Sequence, residues 1–277
     1  MRAQGDGCRV VVGVDGSPEA PAAVRWAAAE AVHHRIPLRL VSAFDWPGSH
    51  VVARPKPGAA TRDVLMRRAR ALLDVATAAA RCSAPDLEVE QHLAVGTLAA
   101  ALVSESRRAR LVVVAAPASI RSVVTHARCP VVVWHGADRA GAETAPVVVG
   151  VDGGPDGDAA IAFAFEAAAV RGASLIGVQA HGRRFGAVRT RAGHAPANDR
   201  FARWTERYPG VELQRISSPD RPVQELLELS GDAQLIVVGS RGCGALAGVV
   251  AGSVSKALTR RARCPVAVIG PAALSHA

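Results

Sequence analysis

Short aliphatic blocks alternate along this chain with longer stretches in which alanine, leucine and charged residues recur at helical spacing. Blocks at 10–14, 38–43, 111–114 and 131–134 carry few or no polar residues, and so do blocks at 147–151, 175–180, 235–238 and 266–269. Near-continuous β-branched runs of this length predict strands buried on both faces. Two further runs, 87–93 and 211–216, mix polar and apolar positions and predict half-exposed strands. Helices are expected between them. Their apolar positions include Ala22, Val24, Trp26 and Ala29 after the first strand, and Ala160, Phe163, Ala164 and Ala167 after its later counterpart. Strands alternating with helices imply a parallel sheet covered on both sides, and right-handed crossovers make it an open, doubly wound sheet.

The pattern occurs twice. Val10-Val11-Val12-Gly13-Val14-Asp15-Gly16-Ser17-Pro18 returns as Val147-Val148-Val149-Gly150-Val151-Asp152-Gly153-Gly154-Pro155, an offset of 137 residues. Ala127-Arg128-Cys129-Pro130-Val131 returns as Ala262-Arg263-Cys264-Pro265-Val266. Echoes at both ends of each half mark a tandem duplication of one α/β domain, expected at 1–138 and 145–277.

The halves differ most after the fourth strand. In the second half, Gly239 ends the strand, Gly242, Gly244 and Gly248 follow, and Gly252-Ser253-Val254-Ser255 opens a predicted helix. Strand, glycine-rich loop and helix start expose backbone N–H groups to an anion, and the helix dipole favours negative charge there. Glycine permits positive φ and close approach of a ligand to the backbone. The guest this predicts is a phosphate chain. In the first half the same interval is shorter: 15 residues from Val114 to Cys129, against 26 from Val238 to Cys264. It contains no glycine, and Pro117 has no N–H to offer, so the segment from Ala115 to Ser122 is read as a loop that builds no such cradle. In doubly wound sheets ligands sit beyond the carboxyl ends of the strands, where strand order reverses. If the first and fourth strands of a domain are neighbours, Asp152 and Gly239 flank that crevice.

Composition narrows the function classes. The chain has 277 residues, 49% hydrophobic but only 4% aromatic, so alanine, valine and leucine must fill the cores. Its formal charge of +9 comes almost entirely from arginine, since Lys56 and Lys256 are the only lysines. The arginines are scattered, and the sequence is read as holding no basic block interleaved with aromatics and no nucleic-acid-binding motif, so a specific nucleic acid is not expected. Five cysteines without a CxxC pair argue against a disulfide framework or zinc site. Neither a signal peptide nor a membrane-spanning run is seen, and a cytoplasmic location is expected. Cys129 and Cys264 read as buried packing residues, and Ser17 as a helix N-cap. Asp15 and Asp152 lie in separate domains and form no catalytic dyad.

These residues resemble the universal stress protein family in its tandem two-domain form, along essentially the whole chain. The family signature of glycine, two residues, glycine, nine residues, glycine and Ser or Thr is met by Gly239, Gly242, Gly252 and Ser253. The resemblance implies two Rossmann-like five-stranded parallel sheets of order 3-2-1-4-5. It also implies ATP in the second domain, often with a divalent cation such as Mg2+. Asp152 and Gly153 would then lie near the adenosine, and the backbone at Ala180 against the adenine edge. Gly239, Arg241 and Gly242 would face ribose and phosphates, and Gly252, Ser253, Val254 and Ser255 the phosphate chain. Family members pair through their last strands, which implies an internal pseudo-dimer or a homodimer. The expected role is a nucleotide-dependent regulatory or stress-response module without catalytic residues, its protein partner open. The alternatives are a slow ATPase or phosphotransferase and a nucleotide-free scaffold. Against turnover, the GxxxxGK[ST] signature is absent and 239–256 holds no Asp, Glu or His.

Overall fold

The computed structural model describes residues 8–44, 59–115, 117–135, 144–152, 156–180, 197–218, 221–240 and 252–270. It divides into two compact units, Met1–Trp134 and His135–Ala277. In the first, β1 (Arg9–Gly13), α1 (Ala20–His34), β2 (Leu38–Phe44), α2 (Ala59–Ser83), β3 (Val89–Val95), α3 (Leu98–Glu105), β4 (Ala109–Val114), α4 (Pro117–His126) and β5 (Val131–Val133) follow in turn. The second runs β6 (Val147–Val151), α5 (Gly157–Arg171), β7 (Leu175–Gln179), α6 (Ala197–Arg207), β8 (Leu213–Ser217), α7 (Pro222–Leu229), β9 (Leu235–Gly239), α8 (Ser253–Arg261) and β10 (Val266–Ile269).

Each domain builds one parallel sheet in the expected order. The first reads β3-β2-β1-β4-β5 and the second β8-β7-β6-β9-β10. Val10 lies opposite Leu38 and Leu111, and Val148 opposite Ile176 and Ile236. In-register parallel partners point to the same face, so each sheet has two apolar faces for its helices to cover. On one face of the first sheet Val11, Val41, Val112, Val114, Val131 and Val133 pack under Leu102 of α3 and Val123 of α4. The other face carries Val10, Val12, Leu38 and Leu40, all fully buried, against α1 and α2. The central strands are buried over most of their length, whereas β3 and β8 at the sheet edges are only partly covered, as their mixed polarity requires.

The duplication is exact at three packing points. Gly13 and Gly150 are glycines because a helix leucine sits on the strand. A Cβ at Gly13 would lie 2.8 Å from Leu102 Cδ1, and one at Gly150 would lie 2.9 Å from Leu226 Cδ1. Ser106 and Ser230, the C-caps of α3 and α7, are both fully buried. Their hydroxyls donate to Val103 O and Leu227 O and accept from the N–H of Arg128 and Arg263. Val112 N–H donates to Pro130 O, as Ile236 N–H does to Pro265 O. This explains the Ala-Arg-Cys-Pro echo, because the backbone of that segment docks on the serine and on the fourth strand. Cys129 and Cys264 are each 3% exposed, as expected of packing residues.

Three expectations are corrected. The segment from Ala115 to Ser122 is not a loop: α4 opens at Pro117, where a missing N–H costs nothing and the fixed φ suits the first turn. In α1 the buried set is Ala20, Ala23, Val24, Ala27, Ala28, Glu30 and Ala31, while Ala29 is exposed. An alanine-rich helix gives a faint apolar stripe, so its inward face is hard to phase from sequence. Ser17 does not cap α1; Glu19 holds that position, and Ser17 N–H donates to Asp15 Oδ1 at 3.0 Å.

Candidate functional site

Strand order brings those expected site residues that lie among the described ones to one end of the second sheet. β6 pairs with both β7 and β9, and β9 pairs with β10. Gly150 lies opposite Val178 and Val238, so Asp152 and Ala180, one residue past their strands, and Gly239, which ends β9, emerge side by side at the carboxyl edge. This is the juxtaposition on which the crevice argument depends. Asp152 and Gly239 are half-buried, and so is Ala180, whose N–H donates to Val151 O at 2.8 Å. Gly153, Arg241 and Gly242 lie outside the described residues.

The start of α8 is held at the same edge. Gly252 N–H donates to Ser240 O at 2.8 Å, which brings the residue after β9 against the N-cap of α8. Ser240 N–H in turn donates to Ile269 O of β10 at 2.8 Å. Gly252 sits at φ −61°, ψ 155°, an extended conformation open to any residue, so positive φ is not what places a glycine there. No side chain caps the helix at Gly252. The N–H groups of Ser253, Val254 and Ser255 belong to the first turn, which has no preceding carbonyls to bond. Ser253 is exposed and Val254 half-buried. Ser255 is 1% exposed and its hydroxyl donates to Gly252 O at 3.0 Å, so its side chain braces the turn and its backbone N–H is what it can present. Backbone donors at a helix start, with no acidic residue in the first turn, suit an anion.

Two residues of this edge were missed by sequence reasoning. Asp156, the N-cap residue of α5, is 1% exposed, and its Oδ2 accepts a hydrogen bond from Ser240 Oγ at 3.1 Å. The polar residue directly after an apolar strand was the available signal for Ser240; for Asp156, amid other turn residues, there was none.

The reading of the basic residues also needs correction. From Arg200 to Tyr208, α6 and its end do interleave arginine with aromatics. Arg203 lies 5.0 Å over the Trp204 ring, Arg207 5.7 Å from the same ring, and Arg215 of β8 5.5 Å over Phe201. Arg200 and Arg203 pair with Asp158 at 3.2 and 3.8 Å. Arg203, Arg207 and Arg215 thus lie on aromatic rings of their own domain, and Arg200 and Arg203 on a carboxylate. Among the described residues no group of three or more His, Cys, Asp or Glu could hold a metal ion, and no helix is long and apolar enough to cross a membrane.

The comparisons with known proteins agree with this architecture. The model of the universal stress protein family matches residues 8–135 and again 144–270. A universal stress protein of Mycobacterium tuberculosis, Rv2005c, is 36% identical over 294 residues, covering 94% of this chain and 96% of the relative. A second from that organism, Rv2623, is also 36% identical, over 288 residues, with 94% and 95% covered. Among solved structures, a universal stress protein from Archaeoglobus fulgidus superposes with a TM-score of 0.74 at 15% identity, covering 95% of this chain and 96% of that one, a likeness of fold. The two family matches, one per domain, and relatives alike from end to end place this chain in the universal stress protein family, as a tandem pair of its domains.

Proposed function

We propose that the second domain binds an adenine nucleotide, ATP, and that the protein acts as a nucleotide-dependent regulatory module in a stress response. The observation that carries the reading is the pairing of β6 with β9. It sets Asp152, Ala180 and Gly239 beside the uncapped start of α8, held there by the 2.8 Å bond from Gly252 to Ser240. The phosphates lie against the N–H groups of Ser253, Val254 and Ser255, where the helix dipole adds to the attraction. Ala180 N–H is committed to Val151 O, so in this reading the Ala180 carbonyl is the group left to meet the adenine amino group. Asp152 faces the ribose, and Arg241 and Gly242, which the resemblance to the family implies at ribose and phosphates, complete the proposed set. A Mg2+ ion bound with ATP would take its ligands mainly from the phosphates and water, and Asp152 is a half-buried carboxylate at this edge that could add one.

Nucleotide is held rather than turned over. Phosphoryl transfer needs a group that orients the attacking nucleophile, and 239–256 contains no Asp, Glu or His. The first domain serves as a structural or partner-binding copy. Calorimetric titration of the full chain with ATP, then with adenosine, tests the reading. Saturable ATP binding clearly tighter than adenosine binding supports it; ATP no tighter than adenosine, or no binding of either, overturns it. Single-turnover formation of ADP would move the reading to the ATPase.

A further inference from the structure

Asp156 and Ser240 form a buried polar contact that the nucleotide reading leaves unused. The two side chains are 1% and 3% exposed and meet at 3.1 Å. From Ser240 the connection continues through the backbone. Its carbonyl accepts Gly252 N–H, and the Gly252 carbonyl accepts both Lys256 N–H at 3.1 Å and the Ser255 hydroxyl at 3.0 Å. One line of hydrogen bonds thus runs from the start of α5, past the end of β9, into the first turn of α8.

Buried polar pairs are costly to desolvate, and an apolar pair would pack there without that cost. The first domain shows that the fold does not need the contact. By the offset of the repeat and by matching Val114 with Val238, its counterparts are Glu19, which is exposed, and Ala116, which has no side-chain donor. The contact occurs in the domain that has the glycine-rich segment and is missing from the domain that lacks it.

We propose that Asp156 is a positioning residue for nucleotide binding: through Ser240 it fixes the amide of Gly252, and with it the α8 N-terminus, at the place the phosphates occupy. The proposal rests on the nucleotide reading above. Asp156 itself touches neither base nor phosphate, so its effect should scale with the phosphates and spare the adenosine.

The test is calorimetric titration of the full-length chain with ATP and with adenosine, for the wild type, Asp156→Ala, Asp156→Asn and Ser240→Ala. Asp156→Ala and Ser240→Ala should each weaken ATP about tenfold or more, a difference of about 1.4 kcal/mol, while adenosine changes less than about threefold. Asp156→Asn should stay near wild type, because a carboxamide oxygen can accept the same hydrogen bond from Ser240. Hydrogen exchange at the Gly252 amide of the ligand-free protein should quicken in the two alanine variants and not in Asp156→Asn. If Asp156→Ala does not fold, Ser240→Ala, which removes only a hydroxyl, carries the comparison. A folded Asp156→Ala that binds ATP like the wild type overturns the inference alone. Equal losses for ATP and adenosine, or an asparagine variant as weak as alanine, do the same. A wild type that binds neither ligand overturns the nucleotide reading and this inference with it.

Discussion

The two domains share sheet order, helix placement, the glycine under the helix leucine and the serine that docks the last strand, yet differ at the one place where a ligand would sit. In the first domain β4 ends at Val114 and α4 begins at Pro117. In the second β9 ends at Gly239 and α8 begins at Ser253. The difference teaches that the scaffold and the site are separable. Packing positions are repeated because both domains must bury the same sheet, whereas the segment between the fourth strand and its helix is dispensable to the fold. The first domain instead spends charge on its sheet edge. Arg39 bonds Glu90 at 2.7 Å and Glu105 at 3.0 Å, where the repeat offsets put Ile176, Gln214 and Leu229 in the second.

The sharpest way to break the comparison is at the α8 start. Gly252→Val should keep the fold, since its backbone conformation suits any residue, and should weaken ATP binding at least about a hundredfold, or about 2.7 kcal/mol, by filling the phosphate path; calorimetry reads it. Unchanged affinity in a folded variant would remove the phosphates from this helix. Next come the paired glycines. Gly13→Val and Gly150→Val should each cost about 1–3 kcal/mol in denaturant unfolding, as overpacking does. Gly150 should be the costlier, because its added Cβ also meets Val238 Cγ1 at 3.2 Å.

A smaller asymmetry lies where the first helix of each domain ends. The residue after α1 is Arg35 at φ 54°, and its counterpart after α5 is Gly172 at φ 60°. Both close the helix with the same pair of bonds, Ile36 N–H to Ala31 O and Ala173 N–H to Ala168 O among them. A side chain in the left-handed region costs roughly 1 kcal/mol, so Arg35→Gly should stabilise the protein by about that amount in thermal unfolding, and Gly172→Arg should do the reverse.

Near neutral pH the smallest effect concerns Cys129. Burial, aided by the nearby Cys8, pushes its thiol from the ordinary 9.0 up to about 12. The folded state therefore holds that proton more tightly than the unfolded chain does. Its contribution to stability is whole below pH 9 and is lost as pH rises from about 9 to about 12. Mass spectrometry after alkylation at pH 8 should find Cys8 and Cys82, both exposed, modified and Cys129 intact until the chain unfolds.

Much of this was legible in the sequence because it rests on patterns with one physical meaning. Aliphatic runs such as 147–151 fit little except a doubly covered strand, and a repeat of Val-Gly-Val-Asp-Gly at 137 residues leaves duplication as its plain account. What escaped depends on distance in space. Asp156 meets Ser240 across 84 residues, and no local pattern announces it. The helix α4 is hard to see in the sequence because a stretch without glycine fits a poor loop as well as a helix that starts at proline. The arginine and aromatic run of α6 is contiguous in the sequence; what needs the structure is its stacking, which shows only once the helix aligns its turns.

The most direct test of the central claim is to denature the purified full-length chain, separate the supernatant by chromatography and count adenine nucleotides per chain by mass analysis. Close to one is expected, because only the second domain has a glycine-rich segment between its fourth strand and the helix that follows. Two per chain would contradict the division between the domains, and none, with no ATP uptake by calorimetry, would contradict the nucleotide reading itself.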